Sequence, residues 1–218
     1  MLERIKWLGA AVGIFALNAL AQAGLFLPKA MGGYTLFNSS VAFIYMLSMI
    51  VLIFWIGQNF GLIGRSFAPI KKYLAWIFIG YGLIWVSNIL GTVVLAIEGS
   101  GTTQNQTLLH EIMQQVPNSL MFLLIVFLAP IAEEIMCRGI IPQLLFKGYE
   151  ETGYFIGGFV FAFMHGPTNV GSWIVYGGMS AVLTFLAYKS KRVEVSMGLH
   201  FLNNAIAFAL LQLASHLV

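Results

Sequence analysis

Aspartate does not occur in this chain. All eight acidic residues are glutamates: Glu3, Glu98, Glu111, Glu133, Glu134, Glu150, Glu151 and Glu194. Mechanisms that need an aspartate, the aspartyl intramembrane proteases included, are therefore excluded. Cysteine occurs once, as Cys137, which excludes an internal disulfide framework and a multi-cysteine metal cluster. Charge of either sign is scarce. Only 9% of the residues are charged, where a soluble domain carries roughly a quarter. The net charge of +3 is small and scattered, so no nucleic-acid partner is expected. No internal repeat, coiled coil or low-complexity tract divides the chain, and residues 1–218 read as one domain.

What is plentiful is apolar length. Hydrophobic residues make up 59% of the chain, and the mean hydropathy is +0.87. A membrane-crossing helix needs about 20 apolar residues. Runs at 7–27, 38–57, 73–97, 118–145, 153–166, 172–188 and 195–217 meet or approach that length. They predict an all-α, polytopic transmembrane helix bundle of about seven spans around an interior polar cavity. The run at 153–166 is short and glycine-rich. The loops orient the bundle by the positive-inside rule. With the N-terminus in the cytoplasm, Arg4, Lys6, Arg65, Lys71, Lys72, Lys147, Lys189, Lys191 and Arg192 fall inside and Lys29 falls outside. The C-terminus is then external, and His216 reads as a helix-end interface residue. The polar stretch 98–117 is expected to be an outer loop. The basic start, apolar run and Ala21-Gln22-Ala23 also fit a signal peptide, but an uncleaved first helix is the preferred reading.

Charged groups inside a bilayer are costly and mark function by default. The run 118–145 carries three: Glu133, Glu134 and Arg138. Glu134 and Arg138 are four residues apart, glutamate first, the favoured order for a helical ion pair, and read as structural support. Glu133 points about 100° away and has no charged partner on its own face. Two histidines lie in other apolar runs. His165 ends Phe161-Ala-Phe-Met-His165, while His200 and Asn204 share one helix face. These groups suggest a common site. Glu133 and His165 hold and deprotonate a water; His200 and Asn204 donate hydrogen bonds to the oxyanion formed when that water attacks a peptide carbonyl.

Three motifs in this order, Glu133-Glu134-Ile-Met-Cys-Arg138, Phe161 to His165 and His200 to Asn204, resemble the signature of the CPBP family, the CAAX proteases and bacteriocin-processing enzymes also called Abi. The resemblance covers roughly residues 118–208. It implies a metal-free intramembrane glutamate endopeptidase with no cofactor, acting on a peptide or protein substrate among membrane lipids. In it, Glu133 and His165 activate water, and His200 and Asn204 form the oxyanion site. The cavity would open toward the cytosolic side or the bilayer. The small size resembles bacterial members, placing the chain in a bacterial plasma membrane. Competing readings remain. One is a zinc or iron site on the same two glutamates and two histidines. Another is a non-catalytic membrane binding protein, serving bacteriocin self-immunity or sensor-kinase regulation. The last is a proton pathway. His110-Glu111 lacks the second histidine of a zinc motif, and Gly178-Met-Ser180 lacks the glycine that follows a serine nucleophile.

Overall fold

The computed structural model describes residues 2–64 and 68–217, with the backbone alone at 68–70 and 214–217. Arg65 and the side chain of His216 lie outside the described residues. Among the described residues there are eight helices and no strand. Helix α1 (Leu2–Ala23) continues through a tight turn to Ala30. It is followed by α2 (Leu36–Asn59), α3 (Leu74–Ile97), α4 (Gln104–Met113), α5 (Asn118–Leu145), α6 (Glu150–Met164), α7 (Val170–Ser190) and α8 (Val193–Leu217).

Six of these helices are long and apolar enough to cross a membrane: α1 with its extension, α2, α3, α5, α7 and α8. Helix α6 has 15 residues, ~22 Å at 1.5 Å per residue, and is too short by that measure. Its two ends nevertheless lie at opposite ends of the bundle. At its start, Glu151 accepts a 2.6 Å hydrogen bond from the hydroxyl of Tyr188, near the end of α7. Beyond its other end, Asn169 donates to Ser100, just past α3. The chain therefore makes a seventh crossing through α6.

Basic residues gather at one end of the bundle. The Arg4 guanidinium lies over the Tyr149 ring, and the Lys191 ammonium sits 3.9 Å from the centre of the Tyr188 ring. Arg192 pairs with Glu194 at 2.9 Å, and the Glu194 carboxylate also accepts the Gly64 amide proton. The opposite end holds Glu98, Ser100 and Thr103. There the polar stretch 98–117 departs from a plain loop. The Thr103 hydroxyl accepts the Gln106 amide proton at 3.2 Å and caps α4, and Leu109, Ile112 and Met113 pack on the core.

Helix α5 is the axle of the fold, and two prolines shape it. Proline has no amide proton to donate. Around Pro130 and Pro142 the helix widens, over Leu123–Leu128 and Ile135–Leu145, so that amides reach back five residues instead of four. The Ala129 amide reaches Leu124, and the Phe146 amide reaches Ile141. In that pattern Pro130 leaves the Ile125 carbonyl without a donor, and Pro142 leaves that of Cys137. The Cys137 carbonyl faces α6 so closely that a Cβ on Gly157 would stand 2.0 Å from its oxygen. Only glycine permits this approach, as in other close helix contacts within membranes.

Candidate active site

The buried centre of the site is Glu134, which has no exposed surface. Its Oε1 accepts from Arg138 at 3.1 Å and from His200 Nδ1 at 3.0 Å. Its Oε2 accepts the Ser196 hydroxyl proton at 2.6 Å. Arg138, equally buried, donates through its second terminal nitrogen to the Ser180 carbonyl and hydroxyl at 3.2 and 3.1 Å. Its guanidinium lies 4.2 Å from the centre of the Phe161 ring, a distance at which the ring face attracts a cation. A charge pair in a low-dielectric interior is tolerated when hydrogen bonds satisfy its remaining capacity; Ser180, Ser196 and His200 supply most of these, and the Arg138 Nε is left without a partner among the described residues. The Ser180 hydroxyl also donates to the Gly158 carbonyl at 2.7 Å, tying α7 to α6.

This network fixes His200. Glu134 as a carboxylate can only accept, so His200 carries a proton on Nδ1. Nε2 then faces outward from the network, 3.8 Å from Glu133 Oε2. The Glu133 side chain is 12% exposed, and its Oε2 is buried with no hydrogen-bond partner among the described residues. Arg138 pairs with Glu134 and donates to Ser180, and no ion pair joins it to Glu133 among the described residues. Adjacent glutamates thus occupy different settings. Glu134 is fully engaged, whereas Glu133 holds an open acceptor beside an imidazole. His200 lies seven residues into α8, ~10 Å from that end of the helix.

His165 and Asn204 stand further out. His165 closes the C-terminal end of α6, where its Nδ1 bonds the Phe161 carbonyl at 2.8 Å and so carries the proton. No hydrogen bond or ion pair joins His165 to Glu133 among the described residues. The link is Phe161, whose ring centre is 4.6 Å from His165 and 5.5 Å from His200. Asn204 lies one turn beyond His200 and donates to the Ile125 carbonyl at 2.9 Å, the acceptor left open by Pro130. One amide proton is thereby committed to mending α5, and one remains. Asn203 donates to the Asn204 oxygen at 3.1 Å. Among the described residues no three histidine, cysteine or glutamate side chains form a metal-ligating group.

Residues 115–206 match the family model of the type II CAAX prenyl endopeptidase Rce1-like proteins. That segment, under half of the chain, is similar to the Rce1-like family. Its bounds enclose every residue of the network just described. The chain is also 32% identical over 176 residues to the UPF0177 protein YvdC of Lactococcus lactis subsp. lactis (strain IL1403), an alignment covering 78% of this chain and 65% of that protein. The chain therefore spans just under two thirds of the length of this curated relative. No solved structure matches.

Several members of the site carry no signal in the motifs. Ser180 and Ser196 complete the ion pair from α7 and α8, and lone serines in apolar runs give no hint of their partners. Tyr176 stacks on His165 and looks in the sequence like any interfacial aromatic. Pro130 was a usable signal, because a proline inside a span must orphan a carbonyl that some polar group then has to satisfy.

Proposed function

We propose that the chain is an intramembrane endopeptidase of CAAX type, hydrolysing a peptide bond with a water activated at Glu133. The observation that carries this reading is the Glu133 carboxylate 3.8 Å from His200 Nε2, with the far side of that imidazole held by Glu134. A carboxylate with an open acceptor, in a site screened from bulk solvent, is suited to take a proton from water. The hydroxide equivalent attacks the carbonyl carbon of the substrate. The proton on Glu133 then passes to the departing nitrogen as the C–N bond breaks.

His165, with Nε2 free to accept, lines the water with Glu133. His200 and the remaining amide proton of Asn204 face the developing oxyanion. Because Nδ1–H of His200 is committed to Glu134, Nε2 donates to the oxyanion only when the ring enters the cycle carrying both protons, and the proton that Glu133 takes from water is kept for the departing nitrogen. Glu134 and Arg138 act as the frame. The basic end of the bundle faces the cytoplasm, in a bacterial plasma membrane, which puts the N-terminus inside and the C-terminus outside.

The test is comparative peptidomics of cells carrying the native chain or Glu133→Gln. Cleavage should fall by about 10²–10⁴-fold, with unchanged thermal unfolding in detergent, and the peptides that disappear name the substrate. Identical peptidomes, with the native phenotype retained by the variant, would replace catalysis with a non-catalytic binding role such as self-immunity or kinase regulation.

A further inference from the structure

The proposed mechanism uses His165 but leaves open what holds its ring. Its own helix holds one ring atom, Nδ1, through the 2.8 Å bond to the Phe161 carbonyl, and a single such bond does not by itself fix the plane of the ring. His165 sits at the end of α6, where its amide bonds Ala162 at 3.3 Å. The next residue, Gly166, has a φ of +60° as the chain turns away. The ring is instead clasped from two sides. Phe161 lies against it at 4.6 Å, tilted by 44°. Tyr176, from α7, stacks on it at 4.6 Å with the planes 26° apart.

Tyr176 is itself tethered. It is 6% exposed, and its hydroxyl bonds the Thr103 hydroxyl at 2.6 Å. Thr103 is 2% exposed and ends a segment latched to the start of α7. The Glu98 carboxylate accepts the amide protons of Val170 and Gly171 at 3.0 Å each, and Ser100 accepts from Asn169 at 3.2 Å. A continuous line of contacts therefore runs from the 98–103 segment through Tyr176 to the imidazole.

We propose that Tyr176 is a positioning residue for His165, and that Thr103 sets Tyr176. This rests on the proteolytic reading above. The stack holds the imidazole plane so that Nε2 keeps its direction, and the hydroxyl bond keeps the tyrosine ring over the histidine.

The test uses the full chain in detergent and a peptide substrate identified by the peptidomics. Tyr176→Leu should lower kcat by roughly 10²-fold, the scale of a misplaced catalytic group, with KM nearly unchanged. Tyr176→Phe keeps the stack and should recover most of that loss. Its remaining deficit of about fivefold is the equivalent of one hydrogen bond. Thr103→Val leaves the contact of the Tyr176 hydroxyl with Asn105 in place and should show a deficit no larger, and the double variant Thr103→Val/Tyr176→Phe should be no worse than Tyr176→Phe alone. Packing alone would lower the unfolding temperature without this split or rescue. Native kcat in Tyr176→Leu, or deficits of the two hydroxyl variants that add, overturns the proposal. Should Tyr176→Leu fail to fold, the two hydroxyl variants decide it: native kcat in both overturns it. Nitrogen NMR of labelled histidine separates the two levels of argument. A His165 ring signal that shifts in Tyr176→Leu but not in Tyr176→Phe supports the clasp even if Glu133→Gln proves fully active. An unmoved signal refutes the clasp whatever the activity shows.

Discussion

Helices α3 and α5 both qualify as membrane spans, yet they relate to the rest of the molecule in opposite ways. In the most apolar stretch of α3, 22% of the residues are buried in the protein; in that of α5, 72% are. The most apolar stretch of α5 is more apolar than that of α3, yet α5 is the helix that carries Glu133, Glu134 and Arg138. Helix α3 has no charged residue and shows Phe78, Ile79, Trp85, Val86, Leu90 and Val93 to the surroundings. Apolarity in α3 faces lipid. In α5 it packs against five other crossing helices, and Glu134 and Arg138 are shielded because protein surrounds them on every side. High hydropathy thus identifies a span without saying which solvent it meets. An ionisable group inside a span marks the helix that is wrapped by others, since lipid contact would leave the charge unpaired.

That contrast breaks most severely if the α5 network loses its cation. Arg138→Met leaves the Glu134 carboxylate buried without its ion-pair partner and should cost about 3–5 kcal/mol, measured by thermal or denaturant unfolding in detergent. A loss under about 1 kcal/mol would mean that the pair does not hold the network in its charged form. A smaller effect is expected from the backbone contact. A Cβ at Gly157 would stand 2.0 Å from the Cys137 carbonyl oxygen, so Gly157→Ala should destabilise by about 1–3 kcal/mol through overpacking. Gly82 in α3 has nothing within 4 Å of its Cβ position; Gly82→Ala should be neutral or slightly stabilising, by up to about 1 kcal/mol of recovered helix propensity. Equal effects at the two glycines would erase the distinction between the helices. The smallest loss among the destabilising changes is expected for Ser196→Ala. It removes one of three donors to Glu134 and should cost about 1 kcal/mol while leaving the ion pair in place. A cost like that of Arg138→Met would show that the serine, rather than the arginine, is the main support.

Much of this was legible in advance for specific reasons. The bounds 118–145 follow from a largely apolar run between Pro117 and the polar Lys147-Gly148, and the helix occupies those residues. The i, i+4 spacing of Glu134 and Arg138 predicts a bond on one helix face, and the pair forms at 3.1 Å. Helix α4 was hidden because its stretch is polar by composition, and its apolar face of Leu109, Ile112 and Met113 is narrow. The tie between Glu134 and His200 was hidden as well. The spacing argument gave Glu134 one partner and left His200 for another role, whereas the carboxylate engages both.

The sequence alone determined that the chain lives in a membrane, which segments cross it, and that its few polar groups lie on α5, α6 and α8. Composition and period suffice for this because each span answers to the bilayer separately. Only the tertiary structure decided which glutamate is engaged and which is open, that Asn204 mends a carbonyl orphaned by Pro130, and that Thr103, from the polar stretch 98–117, reaches His165 through Tyr176. Those outcomes depend on which helix faces which, and hydrogen bonds between residues tens of positions apart leave no period in the chain to read.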